Sequence, residues 1–203
     1  MCGVAGYSCS DPRTEHLEIL DGIIHQSKIR GLHSFGYSIC NDGLKTYKHH
    51  DIREVDLKKA KKIIYHNRYS TSGDYRNHDN NQPINVEGVS LVFNGVLDMR
   101  TKEEMMNHYE IRMNSDNDGE ILLRLCQSDP KKIQNFVSST TGSFAGLILN
   151  ESNEMYAIRN KNRPLWKLIH DNATFYASTR DIFMRVNASF DPVLLEPNKI
   201  YSS

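Results

Sequence analysis

The chain opens MCGVAGYS (residues 1–8), and the reading of this stretch governs the rest. Residues 2–8 are small and apolar, which predicts a buried strand starting at the N-terminus. Cysteine in second position adds a chemical expectation. Aminopeptidase readily removes an initiator methionine when the next residue is as small as cysteine, and the product carries a free thiol beside a free α-amine. An α-amine has a pKa of about 7.7–8.0 and a thiol about 8.5, so the amine can take the thiol proton near neutral pH. One residue would then supply both nucleophile and base. Most cysteines are structural, so Cys2 does not carry this reading by itself.

The 203 residues suffice for one domain with a large core. Lys plus Arg is 25 and Asp plus Glu is 25, which gives no electrostatic basis for binding nucleic acid or an anionic membrane. Pro12 and nearby charges interrupt any leader-like apolar run, and no segment approaches the ~20 apolar residues that span a bilayer. The expectation is a soluble, cytoplasmic protein. Among Cys2, Cys9, Cys40 and Cys126 no pair has CxxC spacing, which argues against zinc or a redox dithiol. The sequence leaves a disulfide open, although a cytosolic setting argues against one. Cys9, Cys40 and Cys126 are read as ordinary half-buried thiols. His49, His50, His66 and His78 fall in no helical ligand pattern and are read as surface or packing residues, so no metal site is expected, and a thiol–amine reaction at Cys2 calls for no metal or cofactor.

Leu17, Leu20, Ile23 and Ile24 recur at helical spacing and predict a helix over 15–30, stopped by Gly31. Residues 35–40 and 43–48 predict a hairpin across Asn41-Asp42-Gly43. A helix is expected over 53–62, with Lys58, Lys59, Lys61 and Lys62 on its solvated face. A strand follows at 63–70, then a polar loop at 72–82 before Pro83. Residues 89–93 predict a strand ending in Asn94-Gly95. Helices are expected over 101–110 and 117–128, the second capped by Ser115 or Asp116. Strands are expected over 143–149, 154–159 and 174–178, with a helical turn at 181–186 and a broken strand at the end. Strands outnumber βαβ units, so the class is α+β with antiparallel sheets.

A series of short motifs extends the reading from Cys2. MCGVAGY resembles the opening of class II glutamine amidotransferases, in which Cys-Gly-(Ile/Val)-x-Gly is typical. Further resemblances follow in family order: Arg30-Gly31-Leu32-His33-Ser34-Phe35-Gly36, the segment from His66 to Gly73, Asn81-Gln82-Pro83, Phe93-Asn94-Gly95-Val96, and Ser115 to Glu120. Gly142 to Ala145, Arg159-Asn160 with Arg163-Pro164-Leu165, Ala177-Ser178-Thr179 and Leu195 to Asn198 complete them. Each motif is unspecific when taken singly; their order across nearly the whole chain carries the resemblance. It implies the four-layer αββα sandwich of N-terminal-nucleophile hydrolases, as one domain over residues 2–203 without a synthase domain.

The resemblance also implies roles. Cys2 would attack the side-chain amide of L-glutamine, and Asn94 and Gly95 would hold the oxyanion. Arg68 would grip the substrate carboxylate with its bidentate fork, with the Thr71 hydroxyl and Tyr69 nearby. Asp118 would receive the α-ammonium. Residues 72–82 are polar, lack periodicity and directly follow Arg68 and Thr71, so they are expected to close over bound substrate as a lid. Departures from the family pattern lie at Tyr69, where tryptophan is usual, and at Ser72, where histidine is usual. Gly119 replaces a threonine, and His33 replaces an aspartate. Taken one by one, Arg68 reads rather as a surface strand residue, Asp118 as a helix cap and Asn94-Gly95 as a hairpin turn; together with Cys2 they read as a site. Arg30, Arg159 and Arg163 read as structural. The expected function is glutamine hydrolysis that feeds ammonia to a separate synthase. A Cys2 amidohydrolase for other amides, or a catalytically dead interaction domain, are the alternatives.

Overall fold

The computed structural model describes residues 1–51, 55–57, 60–70 and 74–203. Strand β1, Gly3–Ser8, is buried along its whole length. Its side chains alternate between two faces: Ala5 and Tyr7 join one apolar cluster and Val4 another. Helix α1, Thr14–Ser27, covers the first of these faces with Ile19, Leu20, Ile23 and Ile24 and runs into a 3-10 turn at Lys28–Arg30. Strands β2, Ser34–Cys40, and β3, Leu44–His49, form the expected hairpin. Strand β4, Lys62–Arg68, lies between β1 and β2.

The helix expected over 53–62 does not form in the part that is described. Residues 52–54 and 58–59 lie outside the described residues, 55–57 are not helical, and Lys62 already opens β4. Val55 and Leu57 pack on the cluster under α1 with exposed Asp56 between them, which is the period of extended chain and not of a helix. Lys62, expected on a solvated face, instead donates from its ammonium to the Ser203 carbonyl.

The second half of the chain contributes β5 (Ile84–Val86), β6 (Val89–Val96), α2 (Lys102–Tyr109), α3 (Gly119–Cys126) and α4 (Pro130–Ser139). It continues through β7 (Ser143–Asn150), β8 (Met155–Arg159), β9 (Trp166–His170), β10 (Ala173–Ala177), α5 (Arg180–Val186), β11 (Val193–Leu194) and β12 (Ile200–Ser202). The sequence reading contains no counterpart for β5, β9 and α4. The signal for α4 is nonetheless present: Asp129 accepts from the Lys131 and Lys132 amides, and Pro130 sits in the first turn, where its missing N–H costs nothing.

Two sheets result, ordered β11-β9-β10-β1-β4-β2-β3 and β12-β8-β7-β6-β5, with every described pairing antiparallel. Val4, Ile64, Val92, Leu147 and Ala157 fill the space between the sheets. Helices α1 and α5 cover the outer face of the larger sheet, and α3 and α4 cover the smaller one through Leu122, Leu123, Ile133 and Val137. The helix–sheet–sheet–helix sandwich is therefore the one expected. Cys9, Cys40 and Cys126 are free and fully buried, not half-buried, because each lies within an apolar cluster. Among the described residues no helix is long and apolar enough to cross a membrane.

Candidate active site

Cys2 stands just ahead of β1, and Arg68 ends the neighbouring strand β4. The ladder pairs Gly3 with Asn67, which brings the two side chains to one end of the sheet. Ser178 anchors the start of β1 by accepting from the Val4 amide at 2.8 Å and donating its own amide to the Val4 carbonyl. The Cys2 thiol donates to the Tyr69 carbonyl at 3.6 Å, and Arg30 Nε donates to the Cys2 carbonyl at 2.9 Å. Gly31 lets the 28–31 turn lie directly on this segment: a Cβ there would fall 2.4 Å from the Arg68 carbonyl carbon. Burial pushes the thiol pKa up, against the lowering influence of the Tyr69 hydrogen bond, the N-terminal ammonium, Arg68 and Arg30. The thiol of the Met1-bearing chain therefore needs a base to ionise.

The opposite wall comes from β6 and the segment before α3. Asn94-Gly95, read as the end of a strand and open to a turn, lie within β6, where they pair with Ala145 and Phe144. Gly95 has φ 150°, and a Cβ there would lie 1.7 Å from the Ser143 carbonyl oxygen, so the position demands glycine. The Asn94 side-chain nitrogen is buried and has no hydrogen-bond partner among the described residues. A buried amide N–H without a partner is costly, and a donor in that state is free to receive a developing oxyanion.

Asp118 precedes α3 but does not cap it with its side chain. Its Oδ2 instead accepts from the backbone amides of Leu97 and Asp98, just beyond Gly95. Burial pushes the Asp118 carboxyl up, partly offset by those amides. Ser115 and Asp116 do not cap α3 either; Asn117 Oδ1 accepts from the Gly119 amide at 3.1 Å. Ser115 is turned to Glu120, whose buried carboxylate also receives the Asn114 amide and Arg124. Burial works to raise the Glu120 carboxyl, but these hydrogen bonds outweigh it and hold it below its ordinary value.

The cleft between the walls is lined by Cys2, Arg68, Tyr69, Gly95 and Asp118, together with Asn80, Gln82, Phe93, Asp116 and Asn117. Asn94 is buried and is not among the lining residues. Thr71, expected near the substrate carboxylate, and Ser72 lie outside the described residues. A larger hollow of about 730 Å³, lined by Leu97, Met99, Tyr109 and Phe136 among others, contains none of the residues expected to act.

Sequence reasoning missed the bracing. Arg68 Nη1 donates to the Asn80 carbonyl at 3.0 Å and to Asn81 Oδ1 at 2.6 Å. Asn80 also accepts from the Asp116 amide and from Asn117 Nδ2, tying the two walls together. Gln82 Oε1 accepts from the Phe93 amide. Asn80, Asn81 and Gln82 are thus buried wall, although 72–82 was expected to act as a lid; of that segment, 72–73 lie outside the described residues. The signal in the sequence was Gln82-Pro83, which composition alone reads as loop and which the family resemblance alone singled out. His33 lies between the rings of Tyr69 and Tyr75, at 5.2 and 5.0 Å, and its Nδ1 accepts from the Ser70 amide at 2.8 Å. The aspartate-to-histidine departure therefore supports the Arg68–Ser70 turn.

Arg68, Asp118, Gly95 and the Cys2 thiol thus line one cleft. A family model described as a glutamine amidotransferase domain matches residues 66–185. Among solved structures, glutamine phosphoribosylpyrophosphate amidotransferase from B. subtilis is similar over 100% of this chain and 49% of its own, at 22% identity and a TM-score of 0.75. The allosteric regulatory enzyme of purine biosynthesis matches over 100% and 48%, at 24% identity and a TM-score of 0.75. A predicted glutamine amidotransferase from Pseudomonas aeruginosa PA01 matches over 99% and 96%, at 13% identity and a TM-score of 0.57. At such identities the likeness establishes the fold, and the chain spans about half the length of the first two. Comparison with curated protein sequences gave no match.

Proposed function

The chain belongs to the glutamine amidotransferase domain family, and from that premise we propose that it hydrolyses glutamine to glutamate and ammonia through a thioester on Cys2. The observation that carries the reading is the convergence of the Cys2 thiol, Arg68, Gly95 and Asp118 on one cleft. Arg68 takes the substrate carboxylate, and Asp118, whose carboxyl burial pushes up, takes the α-ammonium. An incoming cation restores the ionised state that burial disfavours.

Removal of Met1 exposes the Cys2 α-amine. It takes the thiol proton as sulfur attacks the amide carbon, and Asn94 and Gly95 receive the oxyanion. The amine then returns the proton to the departing nitrogen, the carbon–nitrogen bond breaks, and ammonia leaves. Water hydrolyses the thioester by the reverse use of the same groups. The ammonia passes to an acceptor on a synthase partner. Retention of Arg68 and Asp118 supports a free amino acid as substrate over other amides.

The experiment is to incubate protein whose mass shows Met1 removed with glutamine and to measure glutamate. Cys2→Ala should lower the rate about a thousandfold or more. No glutamate from the unaltered protein, alone or with cell extract, would refute the reading.

A further inference from the structure

Arg159 and Arg163 share one turn and are used differently. Arg159 directs its guanidinium to backbone: Nε to the Arg163 carbonyl at 2.6 Å, Nη1 to Leu195 at 2.7 Å and Nη2 to Lys161 at 3.3 Å. It is a structural residue. Arg163, whose backbone this holds, reaches the N-terminus, with Nη1 3.2 Å from the Met1 sulfur. A thioether is a weak acceptor, and Arg163 Nε is buried with no partner among the described residues. Arg30 approaches from the other side, on the Cys2 carbonyl.

The two guanidinium groups are close enough to act on one another: burial lowers the Arg30 pKa, Cys2 works to raise it, and the Arg163 charge works to lower it. Among the described residues neither has a carboxylate within ion-pair distance. Two cations without a carboxylate partner among the described residues therefore lie at the N-terminal dipeptide, Arg30 on the Cys2 carbonyl and Arg163 on the Met1 side chain.

We infer that Arg163, acting with Arg30, keeps the α-amine of Cys2 uncharged near neutral pH once Met1 is removed, and so makes it available as the base. This rests on the function proposed above. An ordinary α-amine, with a pKa of about 7.7–8.0, is mostly ammonium at pH 7 and cannot accept a proton. An ammonium beside two guanidinium groups is a third like charge, which disfavours the protonated form. Arg68 adds a further cation from β4. The carboxylates on the cleft, Asp116 and Asp118, are engaged by Asn80 Nδ2 and by the Leu97 and Asp98 amides on the far wall. Bound glutamine would neutralise Arg68 with its carboxylate and leave Arg30 and Arg163 as they are, so the effect persists in the complex. The same charges make the ammonium formed during attack a better acid toward the leaving nitrogen. Neither arginine touches the reacting amide; both act through the amine.

The test uses Met1-free Cys2→Ala protein, in which the α-amine titrates without a coupled thiol. Trace acetylation across pH, read by mass spectrometry of the N-terminal peptide, measures its pKa. The expected value lies about one unit below an ordinary α-amine. Arg163→Gln in the same background should raise it by about half a unit or more, and Arg163→Lys, which keeps the charge, should leave it low. In the Cys2 enzyme, Arg163→Gln should move the acidic limb of kcat/KM to higher pH by a similar amount, because the base must be deprotonated to work. An ordinary or higher value in Cys2→Ala would overturn the inference without any arginine variant having to fold. So would a value that Arg163→Gln does not move. Both readouts of the amine are independent of turnover, so an inactive chain would refute the proposed function and still decide this point.

Discussion

On one side of the cleft, Cys2 and Arg68 sit at the ends of adjacent strands, β1 and β4, in a ladder that pairs Gly3 with Asn67. On the other, Gly95 lies within β6, while Asp118 comes from the segment before α3 and is held by hydrogen bonds to Leu97 and Asp98. The first wall takes its geometry from backbone register, which side-chain changes leave largely intact. The second depends on close packing at Gly95 and on individual polar contacts. It should therefore be the more easily broken by substitution.

Gly95→Ala is the sharpest way to break the second wall. The new methyl meets the Ser143 carbonyl, and φ 150° is unfavourable for any residue with a Cβ. A loss of about 3 kcal/mol of stability is expected, with turnover reduced further than the folded fraction explains. A variant that melts at the unaltered temperature would show that the wall yields, contrary to the comparison.

The charges come next, one from each wall. Arg68→Lys keeps the cation and loses the fork, so kcat/KM should fall about a hundredfold while alkylation of Cys2 by a small electrophile continues. An equal fall in alkylation would mean that Arg68 shapes the nucleophile. Asp118→Asn should also weaken glutamine, yet stabilise the ligand-free protein at pH 7. Burial raises the Asp118 carboxyl in the folded chain, so its ionised form is disfavoured there relative to the unfolded chain. That destabilisation sets in as pH rises from the ordinary carboxylate value through the raised one, and it is fully present above. Melting curves should show the gain at pH 7 and no gain at pH about 3, where aspartate is largely protonated in either state. A gain at both values would point to packing and not to charge.

His33→Ala probes the first wall and should have the smallest effect. It removes the acceptor of the Ser70 amide and the ring between Tyr69 and Tyr75. About 1 kcal/mol of stability should be lost, with a several-fold rise in KM, measured by glutamate release across glutamine concentrations. A loss as large as that of Gly95→Ala would show the ladder wall to be no sturdier than the other.

Much of this was legible in the sequence. The apolar run 3–8, the 3.6-residue spacing of α1 and the Asn41–Gly43 turn are local signals that burial reinforces, so they predict their elements well. The ordered motifs located Cys2, Arg68, Gly95 and Asp118 before any geometry was known. The region 53–62 misled because its lysines suit a helix, whereas Val55 and Leu57 are drawn onto the core in extended form and Lys62 enters a strand. Asn94-Gly95 misled because the pair favours turns locally, while cross-strand pairing with Ala145 and Phe144 overrides that preference. Local sequence determined which residue types could do chemistry and roughly which elements bear them. Only the tertiary structure decided that Asn80 joins the two walls, that Asp118 faces the cleft and does not cap its helix, and that Arg163 reaches the N-terminus while Arg159 holds a turn. Those outcomes depend on contacts between residues far apart in the chain, and propensity and spacing carry no information about which distant donor an acceptor will meet.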